Sequence, residues 1–113
     1  MVQRGDIWWA ELAEPFGSGP GFKRPVVIIQ SDLFNLNGIQ TVIVASMTGN
    51  ARMAGAAGNV MVPASASGLK KDSVVNVTQL FTLDLELLTD YAGTVPPRLM
   101  TAIGEGLRLV MNL

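Results

Sequence analysis

The sequence predicts a mainly β fold with a C-terminal α-helix, packed as a small, mostly antiparallel barrel. Three observations predict it. Short runs rich in Val, Ile and aromatic residues recur along the chain, separated by Gly-, Pro-, Asn- and Ser-containing turns. One segment with helical periodicity lies at the C-terminal end, where Leu99, Ile103, Leu107 and Val110 fall on one face. Finally, 113 residues with 49% hydrophobic content suffice for one core and not for two, so 1–113 reads as a single domain.

The elements follow in order. "GDIWWAEL" is a first strand, entered at Gly5. The loop from Ala13 to Phe22 carries Pro15, Pro20 and several glycines, so it continues neither strand nor helix. "RPVVIIQ" is a continuous apolar run, read as a strand buried on both faces. Pro25 cannot donate to a ladder, which places it at that strand's first residue or at a bulge. "SDLFNLNG" reads as one helical turn capped by Ser31 and closed near Gly38, and "IQTVIVASMT" as the next strand. "GNARMAGAAGN" lacks helical periodicity and reads as a mobile loop, followed by a short strand, "VMVP". "ASASGLKKD" is a turn region leading to "SVVNVTQLFTL", the longest strand signal. "DLELL" is one helical turn with Asp84 at its N-cap, and "DYAGTV" returns as extended chain. Pro96 and Pro97 open the final helix, in which Gly104 and Gly106 imply close packing or stabilisation by a partner.

Composition excludes several chemistries. No cysteine occurs, so disulfides, thiol nucleophiles and thiolate metal sites are ruled out. No histidine occurs either, which removes the side chain most suited to acid–base work near neutral pH. Catalysis must then rest on Arg, Lys, carboxylates, hydroxyls or Tyr91, and no metal or other cofactor is expected. The chain shows neither a signal-peptide progression nor a membrane-spanning apolar run, and a cytoplasmic location is expected.

Net charge is −1, with an uneven distribution. Up to Lys71 the cations Arg4, Lys23, Arg24, Arg52, Lys70 and Lys71 face the acids Asp6, Glu11, Glu14 and Asp32. Loops bearing those cations would make a basic face if they converge. From the dipeptide alone, a solvated strand entrance explains Lys23 and Arg24.

Five segments in one order, "RGDIWWAEL", "KRPVVIIQSD", "VIVASMT", "SVVNVTQLFTLD" and "MTAIGEGLRLVMNL", resemble the MazF/PemK/Kid family of bacterial toxins across nearly the whole chain. The resemblance implies an SH3-like barrel that forms a homodimer, cuts single-stranded RNA at short sequences and is held inactive by an antitoxin. It also implies metal-independent cleavage, in which the 2′-hydroxyl attacks the adjacent phosphate and leaves a 2′,3′-cyclic phosphate and a 5′-hydroxyl. The chain departs from the family where an acidic residue often precedes Gln79 and an Arg often follows it; Thr78 and Phe81 stand there. Asn76 and Thr78 occupy the positions of an Arg and an Asp implicated in Kid-like cleavage. These departures point to the members that rely on the loop-proximal Arg and the strand Thr.

On that resemblance, Arg24 is the first catalytic candidate. A guanidinium meets two phosphate oxygens with a planar fork where charge builds during transesterification. Thr48 is the second, as a hydrogen-bond donor orienting the phosphate, and Ser46 shares its strand face as a candidate RNA contact. Lys23, Arg52, Lys70 and Lys71 are expected to attract RNA, and Asn76 and Thr78 to face a base edge or phosphate. Gln79, among apolar neighbours, is assigned a structural role. Trp8 and Trp9 point to opposite faces, one in the core and one near the surface; core or dimer-interface packing and RNA stacking both remain open. Phe16 and Phe22 are candidates for contacts with nucleotides or antitoxin, and equally for anchoring the loop. A gyrase poison of the CcdB type on the same barrel is the alternative, opposed by the chain's "VMNL" ending, since that activity resides in a terminal Trp-Gly-Ile. A degenerate toxin that binds antitoxin or RNA without cutting is a further one.

Overall fold

The computed structural model describes residues 1–13, 17 and 22–113. The elements are β1 (Asp6–Glu11), β2 (Lys23–Ile28), α1 (Asp32–Asn35), β3 (Thr41–Thr48), β4 (Val60–Val62), α2 (Ala64–Ser67), β5 (Ser73–Asp84), β6 (Leu88–Thr94) and α3 (Pro97–Met111), with 3₁₀ turns at Ala51–Gly55 and Leu85–Leu87. The strands form one antiparallel sheet in the order β4-β5-β3-β2-β1-β6, curled into a half-barrel. Between its two edge strands, α2 follows β4 and packs against β6. The mainly β barrel with a terminal helix is therefore present.

Both faces of the sheet are buried, as the apolar run in β2 requires. Val27 joins Ile7, Met47, Val75 and Val77 in a core capped by Ile103 and Leu107 of α3. Val26 and Ile28 join Val42, Val44 and Leu83 in a second core. Period-2 alternation sends adjacent residues of one strand into different cores. On α3, Ile103 and Leu107 are buried and Leu99 packs partly, whereas Val110 is exposed. Ser31 caps α1 as expected, its Oγ accepting from the Leu33 N–H at 3.2 Å.

Several elements depart from the sequence reading. Pro25 is the third residue of β2, not its first. The β2–β3 ladder starts at Val26, so Pro25 lies where β2 is paired with β1 alone and no ladder donor is missed. The segment read as a structureless mobile loop holds a 3₁₀ turn, capped by Asn50, whose side chain accepts from Arg52 N–H. Asn59 ties it to β5: its Nδ2 donates to Met53 O at 3.0 Å and its Oδ1 accepts from Val77 N–H at 3.0 Å. Gly58 then meets Gly106 of α3 backbone to backbone, so the close packing expected of the helix glycines holds at Gly106. Gly104 has only Arg108 Nη1 near its missing Cβ, at 3.9 Å. Asp84 occupies the N-cap position of Leu85–Leu87 but makes no side-chain cap bond. Residues 14–16 and 18–21 of the expected loop between β1 and β2, Phe16 among them, lie outside the described residues.

The largest departure is a bulge in β5. Ala45 pairs with Leu80 while the next residue, Ser46, pairs with Asn76, so the register shifts across residues 77–79. Asn76 stabilises the bend, its Oδ1 accepting from Thr78 N at 3.3 Å and Thr78 Oγ1 at 2.9 Å.

Candidate functional site

Where β1, β2 and β3 meet the segment before β5, the surface opens into a cavity of about 720 Å³. Its lining includes Lys23, Arg24, Thr48, Lys70 and Lys71, with Trp9 and Phe22 as aromatic walls. Residues distant in sequence are thus brought to one place, and each is held there for a local reason.

Arg24 and Thr48 are placed by the ladder. β2 and β3 pair Val26 with Ser46, Val27 with Ala45 and Ile28 with Val44. Continuing that register outward by two residues sets Arg24 against Thr48, beyond the ladder's paired end. On the other side Arg24 pairs with Ala10 of β1 and Pro25 with Trp9, so the β1 ladder holds the Arg24 backbone. Thr48 Oγ1 accepts a hydrogen bond from the Asn50 N–H at 3.2 Å. A hydroxyl whose oxygen is engaged as acceptor has its proton free to donate to a ligand.

Lys70 and Lys71 are presented by a braced turn. Gly68 ends α2 in the left-handed conformation, at φ 77°, and redirects the chain. Leu69 N–H donates to Ser67 Oγ at 3.0 Å, Asp72 Oδ1 accepts from Ala64 N–H at 2.8 Å, and Ser73 Oγ donates to Lys71 O at 3.1 Å. The Lys71 stem lies across Gly49, where a Cβ would overlap Lys71 Cε. Lys23 is shared with a second, shallower depression lined by Trp9, Asp90 and Tyr91, and its Nζ lies 3.3 Å from Asp90 Oδ2. A Thr89 hydrogen bond first, and then Lys23, hold the Asp90 carboxyl below the ordinary carboxylate range.

Among the described residues, the lining of the cavity contains four cations and no carboxylate, an environment suited to a polyanion. Arg24 adds a bidentate fork and Thr48 a neutral donor at one end. Among the described residues no group of three or more Asp or Glu stands ready to hold a metal.

Other residues expected at the site lie elsewhere. Ser46 is 1% exposed, enclosed between Val26 of β2 and Asn76 of β5, so it does not reach an RNA-facing surface. Asn76 is buried too, with its side-chain oxygen turned on Thr78. Simple alternation put both of these residues on an outer face; central strands and the bulge bury them. Thr78 and Arg52 are exposed but do not line the cavity, and Gln79 is half-buried in the bulge. Both tryptophans are half-buried: Trp8 packs against the second core and edge-on to Tyr91, at 5.8 Å between ring centroids, while Trp9 turns to the cavity. The sequence did not say which tryptophan reaches the surface; pairing with Pro25, beside Arg24, sets Trp9 there.

Comparison with known proteins identifies relatives of the chain and of its fold. A profile of PemK-like, MazF-like toxins of type II toxin–antitoxin systems matches residues 3–111. The chain is 46% identical over 113 residues to the endoribonuclease MazF6 of Mycobacterium tuberculosis, covering 100% of this chain and 99% of that protein. Among solved structures it is similar to the M. tuberculosis toxin MazF-mt6, with a TM-score of 0.79 and 26% identity over 96% of this chain and 97% of that one. A mycobacterial endoribonuclease in complex with its cognate antitoxin shares the fold, with a TM-score of 0.79 and 24% identity over 100% of this chain and 97% of that one.

Proposed function

We propose that this chain, which belongs to the PemK-like, MazF-like toxins of type II toxin–antitoxin systems, cuts single-stranded RNA in the cation-lined cavity. The observation that carries the proposal is the convergence of Arg24, Thr48, Lys70 and Lys71 on one cavity from three separate segments. The 2′-oxygen forms a bond to phosphorus while the bond to the 5′-oxygen breaks. The 2′-hydroxyl proton is lost and the leaving oxygen gains one, so a 2′,3′-cyclic phosphate and a 5′-hydroxyl result. Arg24 meets the non-bridging oxygens as their charge grows, and preorganised donors of this kind are worth about 10²–10³ in rate. Thr48 donates its free proton to the same phosphate. Lys23, Lys70 and Lys71 neutralise flanking phosphates, and exposed Arg52 extends the basic surface.

No step calls for a metal, because positioned cations and a hydroxyl supply the charge stabilisation. A homodimer and a cytoplasmic location belong to the same reading. So does inhibition by an antitoxin whose acidic, extended segment competes with RNA for the cavity.

The test is incubation of the purified protein with a long single-stranded RNA in EDTA, with both ends of the fragments mapped. Cyclic-phosphate and 5′-hydroxyl ends at a recurring short sequence are expected. Intact RNA, or cutting that needs added metal, would contradict the proposal.

A further inference from the structure

Phe22 has a backbone conformation that bulky L residues rarely adopt. Its φ is 56°, in the left-handed region where glycine is the ordinary occupant. Two hydrogen bonds hold it there: Leu12 N–H donates to Phe22 O at 2.8 Å and Phe22 N–H to Ala13 O at 3.1 Å. Burial does not compensate for the strain, because the side chain is 61% exposed. An exposed aromatic ring in a strained backbone, beside the Lys23–Arg24 pair, is the kind of outlier from which a functional role is argued. The ring lines the cavity that also holds Trp9, Arg24 and Thr48.

We propose that Phe22 is a base-stacking residue. It takes the face of one unpaired nucleobase next to the phosphate held by Arg24 and Thr48, with Trp9 as a second aromatic wall of the same cavity. The inference rests on the ribonuclease reading above and adds a binding role to it. Every base has a π-face, so the stack supplies affinity without choosing among the bases. It does select for single strands, since a base inside a duplex is already stacked on its neighbours. The left-handed backbone orients the ring: a right-handed or extended Phe22 would project its side chain in another direction.

Glycine at this position accepts the same backbone without strain, which separates the ring from the fold. RNA carrying the mapped cut site, with a 2′-deoxy nucleotide at the cut so that it binds without reacting, serves as the probe. A second copy lacks one base beside the cut. Phe22→Gly is expected to keep or raise the Tm and to weaken binding of the intact RNA about ten- to a hundredfold. Phe22→Trp should bind within a few-fold of wild type. Wild type should lose affinity for the abasic RNA, and Phe22→Gly should lose little more, because the partner of the ring is already gone. Equal binding of the intact RNA by wild type and Phe22→Gly would overturn the stack and leave the ribonuclease reading standing. A Phe22→Gly protein with lowered Tm and unchanged affinity would show that Phe22 is structural. Wild type that binds no RNA would overturn the ribonuclease reading itself, and the stack with it.

Discussion

Lys23 Nζ lies 3.3 Å from Asp90 Oδ2, joining the start of β2 to β6 on the rim of the cation-lined cavity. Both partners are more than half exposed, at 51% and 62%, so the pair adds little to stability. Its consequence lies in binding: an RNA phosphate has to compete with Asp90 for Lys23. Asp90→Asn should tighten single-stranded RNA binding and steepen the slope of log K against log salt by about 0.7, the contribution of one added phosphate contact. Fluorescence titrations at several salt concentrations measure both. An unchanged slope would remove Lys23 from the RNA surface.

The two glycines of α3 should respond in opposite directions. Gly104→Ala meets only Arg108 Nη1 at 3.9 Å and should stabilise the protein by about 0.5–1 kcal/mol through helix propensity. Gly106→Ala drives a Cβ into the Gly58 carbonyl, which is backbone and cannot rotate away. A loss of about 1–3 kcal/mol is expected by chemical denaturation. Equal effects at the two positions would show that the Gly58–Gly106 contact does not constrain the helix.

Asp32 sets part of the acid limb of stability. Its Oδ1 accepts from the Arg4 backbone N–H at 2.7 Å and from Asn35 Nδ2 at 3.0 Å, and these bonds, the first foremost, hold its carboxyl below the ordinary range. A carboxylate depressed in the folded state stabilises fully above its unfolded value, near about 3.9. That stability is lost as pH falls through the folded value. The Tm gap between wild type and Asp32→Asn should therefore be constant from neutral pH down to about 4 and narrow below it. A gap unchanged at lower pH would contradict this.

Thr48 separates the hydroxyl from the strand that carries it. Thr48→Ser keeps the oxygen that accepts from Asn50 N–H and the proton that donates to phosphate, so cleavage should persist. Thr48→Ala should lower the single-turnover rate about ten- to a hundredfold, in keeping with the loss of about 1.5–3 kcal/mol for one hydrogen bond to a charged group. Equal rates for Ser and Ala variants would exclude the donor role.

How much of this was legible in the sequence depended on where regular alternation holds. The strands and the terminal helix were, because turn residues bound them and period 2 or 3.6 governs their interiors. Arg24 and Thr48 were singled out by the family resemblance, and Lys70 and Lys71 as the cations of a turn region. Ser46 and Asn76 were misplaced for a physical reason: alternation assigns a face but does not say that β3 is central, and it fails at the bulge of residues 77–79. Asn59 and Gln30 gave no sequence signal, though each organises backbone. Gln30, buried, donates to Asn35 Oδ1 at 3.0 Å and accepts from Ile43 N–H at 3.2 Å. Such partners are distant in sequence and have no periodicity. The turn of Phe22 into the left-handed region was equally invisible, since nothing in the residue type favours it.

The action of Arg24 on the scissile phosphate is tested most directly by the single-turnover cleavage rate of Arg24→Ala against wild type, at saturating RNA in EDTA, with Tm measured on the same samples. A fall of about 10²–10³ with little change in Tm is expected. A variant that folds normally and cuts at the wild-type rate would contradict it.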